Sequence, residues 1–132
     1  YAARMVALVP NTIEILSYLK ENNHSIHLIT NGFLEVQSIK MQASGLDKYI
    51  DKTFVSEVVG YKKPDHRIFY HAMKEVGGTT ENCVMIGDDL SVDILPAKEI
   101  GMHHIYFNRK QIPHNETLEC EIKDLIEIKN FV

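Results

Sequence analysis

Asn82-Cys83-Val84-Met85-Ile86-Gly87-Asp88-Asp89-Leu90-Ser91-Val92-Asp93 is the stretch that decides the fold. Its apolar run, Cys83 to Ile86, has the length of a buried strand. The chain then turns on Gly87, and carboxylates at Asp88, Asp89 and Asp93 follow before an apolar helical pattern begins. A buried strand that delivers acidic side chains at its C-terminal end is how an open α/β sheet presents a reactive site. Asp88 falls at the strand tip and Asp93 about one helical turn later, so both can face one point. Converging hard oxygens suit Mg²⁺, which takes one or two carboxylates together with waters and phosphate oxygens. The same residues have a plainer use. Aspartate is a favoured N-cap, and its charge suits a helix N-terminus. From this stretch alone, capping and metal binding stand level.

Upstream, Tyr1 to Val9 is apolar apart from Arg4 and closes at Pro10, which reads as a helix tail or a linker. Asn11 is placed to cap a helix running to about Glu21, with Ile13, Leu16 and Leu19 on its inner side. Ser25 to Thr30 reads as a strand that ends abruptly in Thr30-Asn31-Gly32. A second helix is expected from about Leu34, carrying Val36, Ile39, Met41 and Ala43, with Gly45 as its left-handed cap. Thr53-Phe54-Val55 is a short strand, and Glu57 to Asp65 is mixed in character up to Lys63-Pro64. Pro64 keeps Lys63 extended and lets a helix begin near Asp65, with Ile68, Phe69, Ala72, Met73 and Val76 as its buried stripe. Gly77-Gly78 stops it. Beyond the central stretch, a helix is expected over Val92 to Ile100, a strand over His103 to Phe107, and a polar loop over Asn108 to Glu116. A last short strand, Cys120 to Ile122, precedes a helix over Asp124 to about Lys129. Strands alternating with helices imply right-handed crossovers and a parallel sheet, the doubly wound α/β class.

Composition narrows the function. The 132 residues suffice for one domain with a sizeable core. A net charge of −4 without a basic stripe argues against nucleic acid as a partner. No apolar run approaches the roughly 20 residues of a membrane span, so no membrane partner is expected. The two cysteines, Cys83 and Cys120, are too far apart for a zinc knuckle, and a reducing cytoplasm is the expected setting. Of seven histidines only His103 and His104 adjoin, on a strand where neighbours face opposite ways, so a histidine metal site is not expected.

Three polar clusters follow strands: Thr30-Asn31-Gly32, Lys63-Pro64, and Gly87-Asp88 through Asp93. In a parallel sheet the strand C-termini share one edge, so these clusters are expected to meet there. The Thr30 hydroxyl and the amides of Asn31 and Gly32 suit phosphate oxygens, and Lys63 supplies a positive point charge for the same group. Asp88, helped by Asp93, suits Mg²⁺, which offsets charge on transferring phosphoryl oxygens. Singly, each cluster is an ordinary turn, a solvated lysine or a first-turn helix acid. The functional reading rests on the three together.

These words resemble the C-terminal part of a haloacid dehalogenase-like hydrolase, of the phosphatase branch whose cap is inserted early in the sequence. The matching segments are Leu28-Ile29-Thr30-Asn31-Gly32, Lys62-Lys63-Pro64-Asp65 with Ile68-Phe69, and Met85 to Ile94 running on to Gly101-Met102. The resemblance implies a Rossmann-like parallel sheet flanked by helices, with residues 1–10 as a cap-to-core linker and 11–132 as the C-terminal part of the core domain. It implies that Thr30 binds the phosphoryl group, Lys63 stabilises the intermediate, Asp88 binds Mg²⁺, and Asp93 supports the metal or orients the lysine. Its substrate would be a small phosphorylated metabolite. Pro96 departs from the family pattern, which has a small residue there; the change is expected to affect packing only.

A larger departure concerns the nucleophile. The family uses the first aspartate of a D-x-D motif at the tip of an early strand, forming an aspartyl-phosphate. The aspartates here are Asp47, Asp51, Asp65, Asp88, Asp89, Asp93 and Asp124, and none belongs to an apolar strand ending in D-x-D. The chain is therefore expected to be a fragment, inactive alone, whose sheet lacks its central strand and cap. The missing N-terminal segment or a second copy of the chain is the expected macromolecular partner. Absence of the middle strand would leave two strand edges unpaired. The alternatives are a haloacid dehalogenase, which needs no metal, and a non-catalytic α/β binding or regulatory module of the receiver type.

Overall fold

The structure is a computed structural model that describes residues 11–32 and 47–132. The expected linker at 1–10, and the helix expected from about Leu34 with its Gly45 cap, lie outside the described residues. The chain divides into two units, Tyr1–Val59 with Leu125–Val132, and Gly60–Asp124.

In the first unit, helix α1 (Thr12–Glu21) precedes strand β1 (His27–Thr30). Strand β2 (Lys52–Val55) and a short helix α2 (Ser56–Val59) follow. The strands pair in parallel, with His27 opposite Lys52 and Thr30 opposite Val55. Asp51 locks this register: its carboxylate accepts from Lys20 Nζ at 2.6 Å and from the Ile26 amide at 2.7 Å. Helix α1 buries Thr12, Ile15 and Leu19, whereas Ile13 is 48% exposed. Leu19 is thus buried as expected, while Thr12 and Ile15 take the inner places expected of Ile13 and Leu16. Asn11 does stand at the N-cap, but with φ 68° and no capping bond from its side chain. The left-handed backbone that Asn tolerates, rather than its amide group, starts the helix. The expected C-terminal helix is present as a 3₁₀ helix, Leu125–Asn130; it packs on α1 and buries Leu125 and Ile128. Tyr18 donates to the Val132 carbonyl at 2.8 Å, and Lys129 pairs with Glu14 at 3.2 Å.

In the second unit, helix α3 (His66–Glu75) leads to strand β3 (Val84–Gly87). A π-turn (Leu90–Ile94) runs into helix α4 (Leu95–Glu99), and strands β4 (His103–Phe107) and β5 (Glu121–Ile122) complete the unit. The sheet is parallel, ordered β3-β4-β5, with Gly87 opposite Tyr106 and Tyr106 opposite Glu121. Helix α3 buries the expected Ile68, Phe69, Ala72 and Met73, and Gly77 at φ 71° ends it. Ile94, Ala97, Ile105, Tyr106, Phe107 and Ile122 join them in the core. The helix expected over Val92 to Ile100 is therefore in two parts, a π-turn and five α residues.

Every described strand pairing is parallel, and helices lie between β2 and β3 and between β3 and β4, as the α/β class requires. Among the described strands, β1 pairs with β2 alone and β3 with β4 alone, so each has one edge without a described strand beside it. No helix among the described residues is long and apolar enough to cross a membrane. Cys83 and Cys120 form no disulfide.

Candidate functional site

Lys63 reaches its place from a short segment whose bonds leave it little freedom. Asp65 caps α3, its carboxylate accepting from the Arg67 amide at 2.9 Å. The same carboxylate is gripped by the Arg67 guanidinium, the closest approach being 2.6 Å, and that guanidinium stacks 4.3 Å from the Tyr61 ring. The Arg67 grip holds the Asp65 carboxyl down at about 2. With Tyr61, Asp65 and Arg67 tied on the outside, Lys63 turns inward and is only 7% exposed.

Its partner inside is Asp93. Lys63 Nζ donates to Asp93 Oδ1 at 2.8 Å, and the two side chains are 7% and 6% exposed. An ion pair removed from water to this degree persists only with close geometry, because each charge forfeits several kcal/mol of hydration. Burial pushes the Asp93 carboxyl up, against the opposing pull of the Lys63 ammonium. Gly87 makes room for it. A Cβ on Gly87 would stand 2.6 Å from Asp93 Cβ and Oδ2, so only glycine fits at this strand end.

Asp88 follows Gly87 at the C-terminal end of β3 and is half-buried. Its carboxyl is raised first by burial, then by the Asp93 charge, with Lys63 acting the other way. Asp89 has the plainer role: it caps the next turn, its Oδ1 accepting from the Val92 amide at 3.0 Å. The two readings of the acidic stretch thus divide between neighbours, with capping assigned to Asp89. A lone half-buried carboxylate raised by burial and by a second carboxylate is chemistry that a bound cation relieves. Mg²⁺ needs no more than one or two such ligands beside water and phosphate oxygens. Among the described residues no group of three His, Cys, Asp or Glu is gathered for a metal.

The Thr30 cluster lies in the first unit, at the matching end of its own parallel pair. Thr30 is fully buried and its hydroxyl donates to the Gly32 carbonyl at 3.3 Å. Asn31 and Gly32 are half-buried. Glu57 was missing from the sequence reading: its Oε1 lies 3.1 Å from where a Gly32 Cβ would be. The signal for it is register. Thr30 sits opposite Val55, so residues just beyond both strand tips are neighbours. The structure therefore brings Lys63, Asp88 and Asp93 together in one unit and groups Thr30, Asn31 and Gly32 with Glu57 in the other.

His103 and His104 face opposite ways, as their strand requires: His103 is exposed and His104 buried. Glu119 serves both, accepting from His103 Nδ1 at 2.7 Å and from the His104 amide at 3.0 Å. Further along, the buried Asn108 and the His114–Glu121 pair, at 2.7 Å, fasten the polar loop to β5.

Residues 2–101 match the family model described as haloacid dehalogenase-like hydrolase. The chain is 35% identical over 130 residues to a glyceraldehyde 3-phosphate phosphatase of Methanothermobacter thermautotrophicus, covering 93% of this chain and 58% of that protein. It is 32% identical over 107 residues to the pyrimidine 5′-nucleotidase YjjG of Escherichia coli, covering 80% of this chain and 47% of that protein. Among solved structures, a phosphatase from Thermococcus onnurineus superposes with a TM-score of 0.83 at 28% identity, over 92% of this chain and 56% of that one. A 2-haloacid dehalogenase from Pseudomonas syringae gives 0.80 at 26% identity, over 92% and 51%. The chain spans about half the length of the curated relatives it matches.

Proposed function

The chain belongs to the haloacid dehalogenase-like hydrolases, and from that membership we propose that the protein containing it is a Mg²⁺-dependent phosphatase of small phosphorylated metabolites, working in the cytoplasm. The observation that carries this reading is the buried Lys63–Asp93 pair beside the half-buried Asp88 at the tip of β3. Such a pair is weak evidence for stability and good evidence for a site, because perturbed titratable groups cluster where chemistry is done. That one relative is a glyceraldehyde 3-phosphate phosphatase and another a pyrimidine 5′-nucleotidase supports the same reaction class.

In this proposal Lys63 holds a phosphoryl oxygen and stabilises the charge that develops in transfer. Asp93 keeps the ammonium aimed and prevents it from swinging to solvent. In the first unit, the Thr30 hydroxyl and the amides of Asn31 and Gly32 are the groups suited to phosphate oxygens. Asp88 would hold Mg²⁺, with Asp93 acting on it through Lys63; when bound, the ion offsets negative charge on the phosphoryl group. The nucleophile is an aspartate carried by a strand outside this chain. Its carboxylate displaces the ester oxygen from phosphorus, and water then releases inorganic phosphate from the aspartyl-phosphate.

The test compares the purified chain with the full-length parent on p-nitrophenyl phosphate, with and without EDTA. The parent is expected to turn over only with Mg²⁺, and Lys63→Met and Asp88→Asn each to abolish that turnover. The chain alone is expected to be inert. A parent indifferent to EDTA would replace this reading with a metal-free hydrolase such as a haloacid dehalogenase. Turnover by the chain alone would overturn the external nucleophile.

A further inference from the structure

The first turn beyond β4 stands at the same sheet edge as Asp88. Strands β3 and β4 run parallel with Gly87 opposite Tyr106, so Asp88 and Phe107, the next residue of each, are neighbours at that edge. Asn108, Arg109, Lys110 and Gln111 follow, and the Gln111 amide closes the turn on the Asn108 carbonyl at 3.0 Å. Arg109 and Lys110 are its two central residues. Adjacent strands lie about 4.8 Å apart and each residue advances the chain by about 3.3 Å, which puts the Arg109 backbone within about 10 Å of Asp88. An arginine side chain and a small metabolite together span such a gap.

Asn108 holds this turn in place. It is 4% exposed, and its side-chain amide donates to the Ile112 carbonyl and to Glu121 Oε2, each at 2.9 Å. Its Oδ1 accepts from the Ile112 amide at 2.9 Å, and its own amide donates to the Ile122 carbonyl at 2.7 Å. Gln111 keeps a left-handed φ of 53°, a conformation that persists where the surroundings hold it. A buried asparagine with its bonding groups satisfied in this way fixes the backbone of the loop it serves. The two side chains this fixed turn carries are cations, and both are exposed. Among the described residues neither Arg109 nor Lys110 makes an ion pair, whereas Lys20, Lys63, Arg67 and Lys129 each do. In a chain of net charge −4, two cations held at the site edge without an anionic partner are placed to attract an anion from outside. We propose that Arg109 and Lys110 determine specificity: they form a cationic lip that takes the second anionic group of a substrate whose phosphoryl group lies at Lys63. The substrate class is then a small phosphomonoester that carries a further carboxylate or phosphate. This deepens the phosphatase reading and rests on it for the place of the phosphoryl group.

The test is the binding of two probes to the full-length parent, 3-phosphoglycerate and glycerol 3-phosphate. They differ by a carboxylate in place of a hydroxymethyl group. Calorimetry in EDTA reads both affinities without consuming either ligand. The parent is expected to hold 3-phosphoglycerate about three- to tenfold more tightly, the range that two exposed charge pairs supply. That preference is expected to shrink as salt is raised. The double variant Arg109→Gln, Lys110→Gln is expected to bring the two affinities together. Equal affinities in the parent, a preference that survives the double variant, or no binding of either probe would overturn the proposal. If the double variant fails to fold, Arg109→Gln and Lys110→Gln singly decide by the same ratio. A parent that shows the preference yet never turns over p-nitrophenyl phosphate would refute the phosphatase reading and leave the lip standing.

Discussion

Take away one member of the Lys63–Asp93 pair and the other is left as a buried, uncompensated charge. With both side chains 7% exposed or less and the contact at 2.8 Å, Lys63→Met or Asp93→Val alone should each cost about 3–5 kcal/mol of stability. Replacing both charges at once removes the hydration penalty along with the attraction. The double variant should therefore lie nearer the parent chain than either single does, and close to neutral. The pair between Lys20 and Asp51 supplies an internal comparison. It is shorter, at 2.6 Å, but its side chains are 32% and 38% exposed, and water already solvates both ends. Lys20→Met should cost no more than about 1 kcal/mol despite the closer contact, because burial and not distance sets the scale. Urea unfolding of the four variants and the parent, with a common slope, gives all the differences needed. The reasoning fails if the double variant loses the sum of the two singles. It fails equally if Lys63→Met is as mild as Lys20→Met.

Gly87→Ala should cost about 1–3 kcal/mol in the same assay, since its Cβ would press on Asp93 at 2.6 Å; a loss too small to resolve would mean that the turn gives way freely. In helix α1, Ile15→Ala at 3% exposure should cost about 2–5 kcal/mol and Ile13→Ala at 48% under about 0.5, and equal losses would contradict the face seen here. Asp65 titrates at about 2 instead of the ordinary 3.8, so its charge favours the fold above that ordinary value and loses its effect as pH falls toward 2. The melting-temperature gap between the parent chain and Asp65→Asn should accordingly close over that interval. His103 is raised above 6.5 by Glu119, so its contribution is present below 6.5 and fades as pH rises through the folded value. A gap between the parent chain and His103→Gln that widened toward alkaline pH would refute that pairing.

What could be read in advance divides along physical lines. Helix α3 and strands β3 and β4 were legible because their apolar residues repeat at the period of the element and both ends carry stop signals, as with Asp65 and Gly77 around α3. Helix α1 was legible as a helix but not in its rotation. Ile13, Leu16 and Leu19 form as good an apolar stripe as Thr12, Ile15 and Leu19, and only the packing of the terminal 3₁₀ turn chooses between them. Periodicity ranks faces by hydrophobicity, whereas the tertiary neighbour selects one. The short α2 was missed because four residues carry no period to detect.

The grouping of Lys63 with Asp88 and Asp93 was legible for a different reason. Sheet topology places residues that follow strands along one edge, so Lys63, Asp88 and Asp93 could be grouped without knowing a single distance. Which carboxylate does what was not legible, because Asp88, Asp89 and Asp93 are chemically alike and differ only in direction. Direction depends on the hydrogen-bond spacing of the turn that carries them. An α-helical reading of Val92 to Ile100 accommodates Pro96 only within the first turn and places Asp93 about one helical turn from Asp88. In the structure Asp89 caps the turn through the Val92 amide, and Asp93, whose own amide bonds the Asp89 carbonyl four residues back, is left for Lys63.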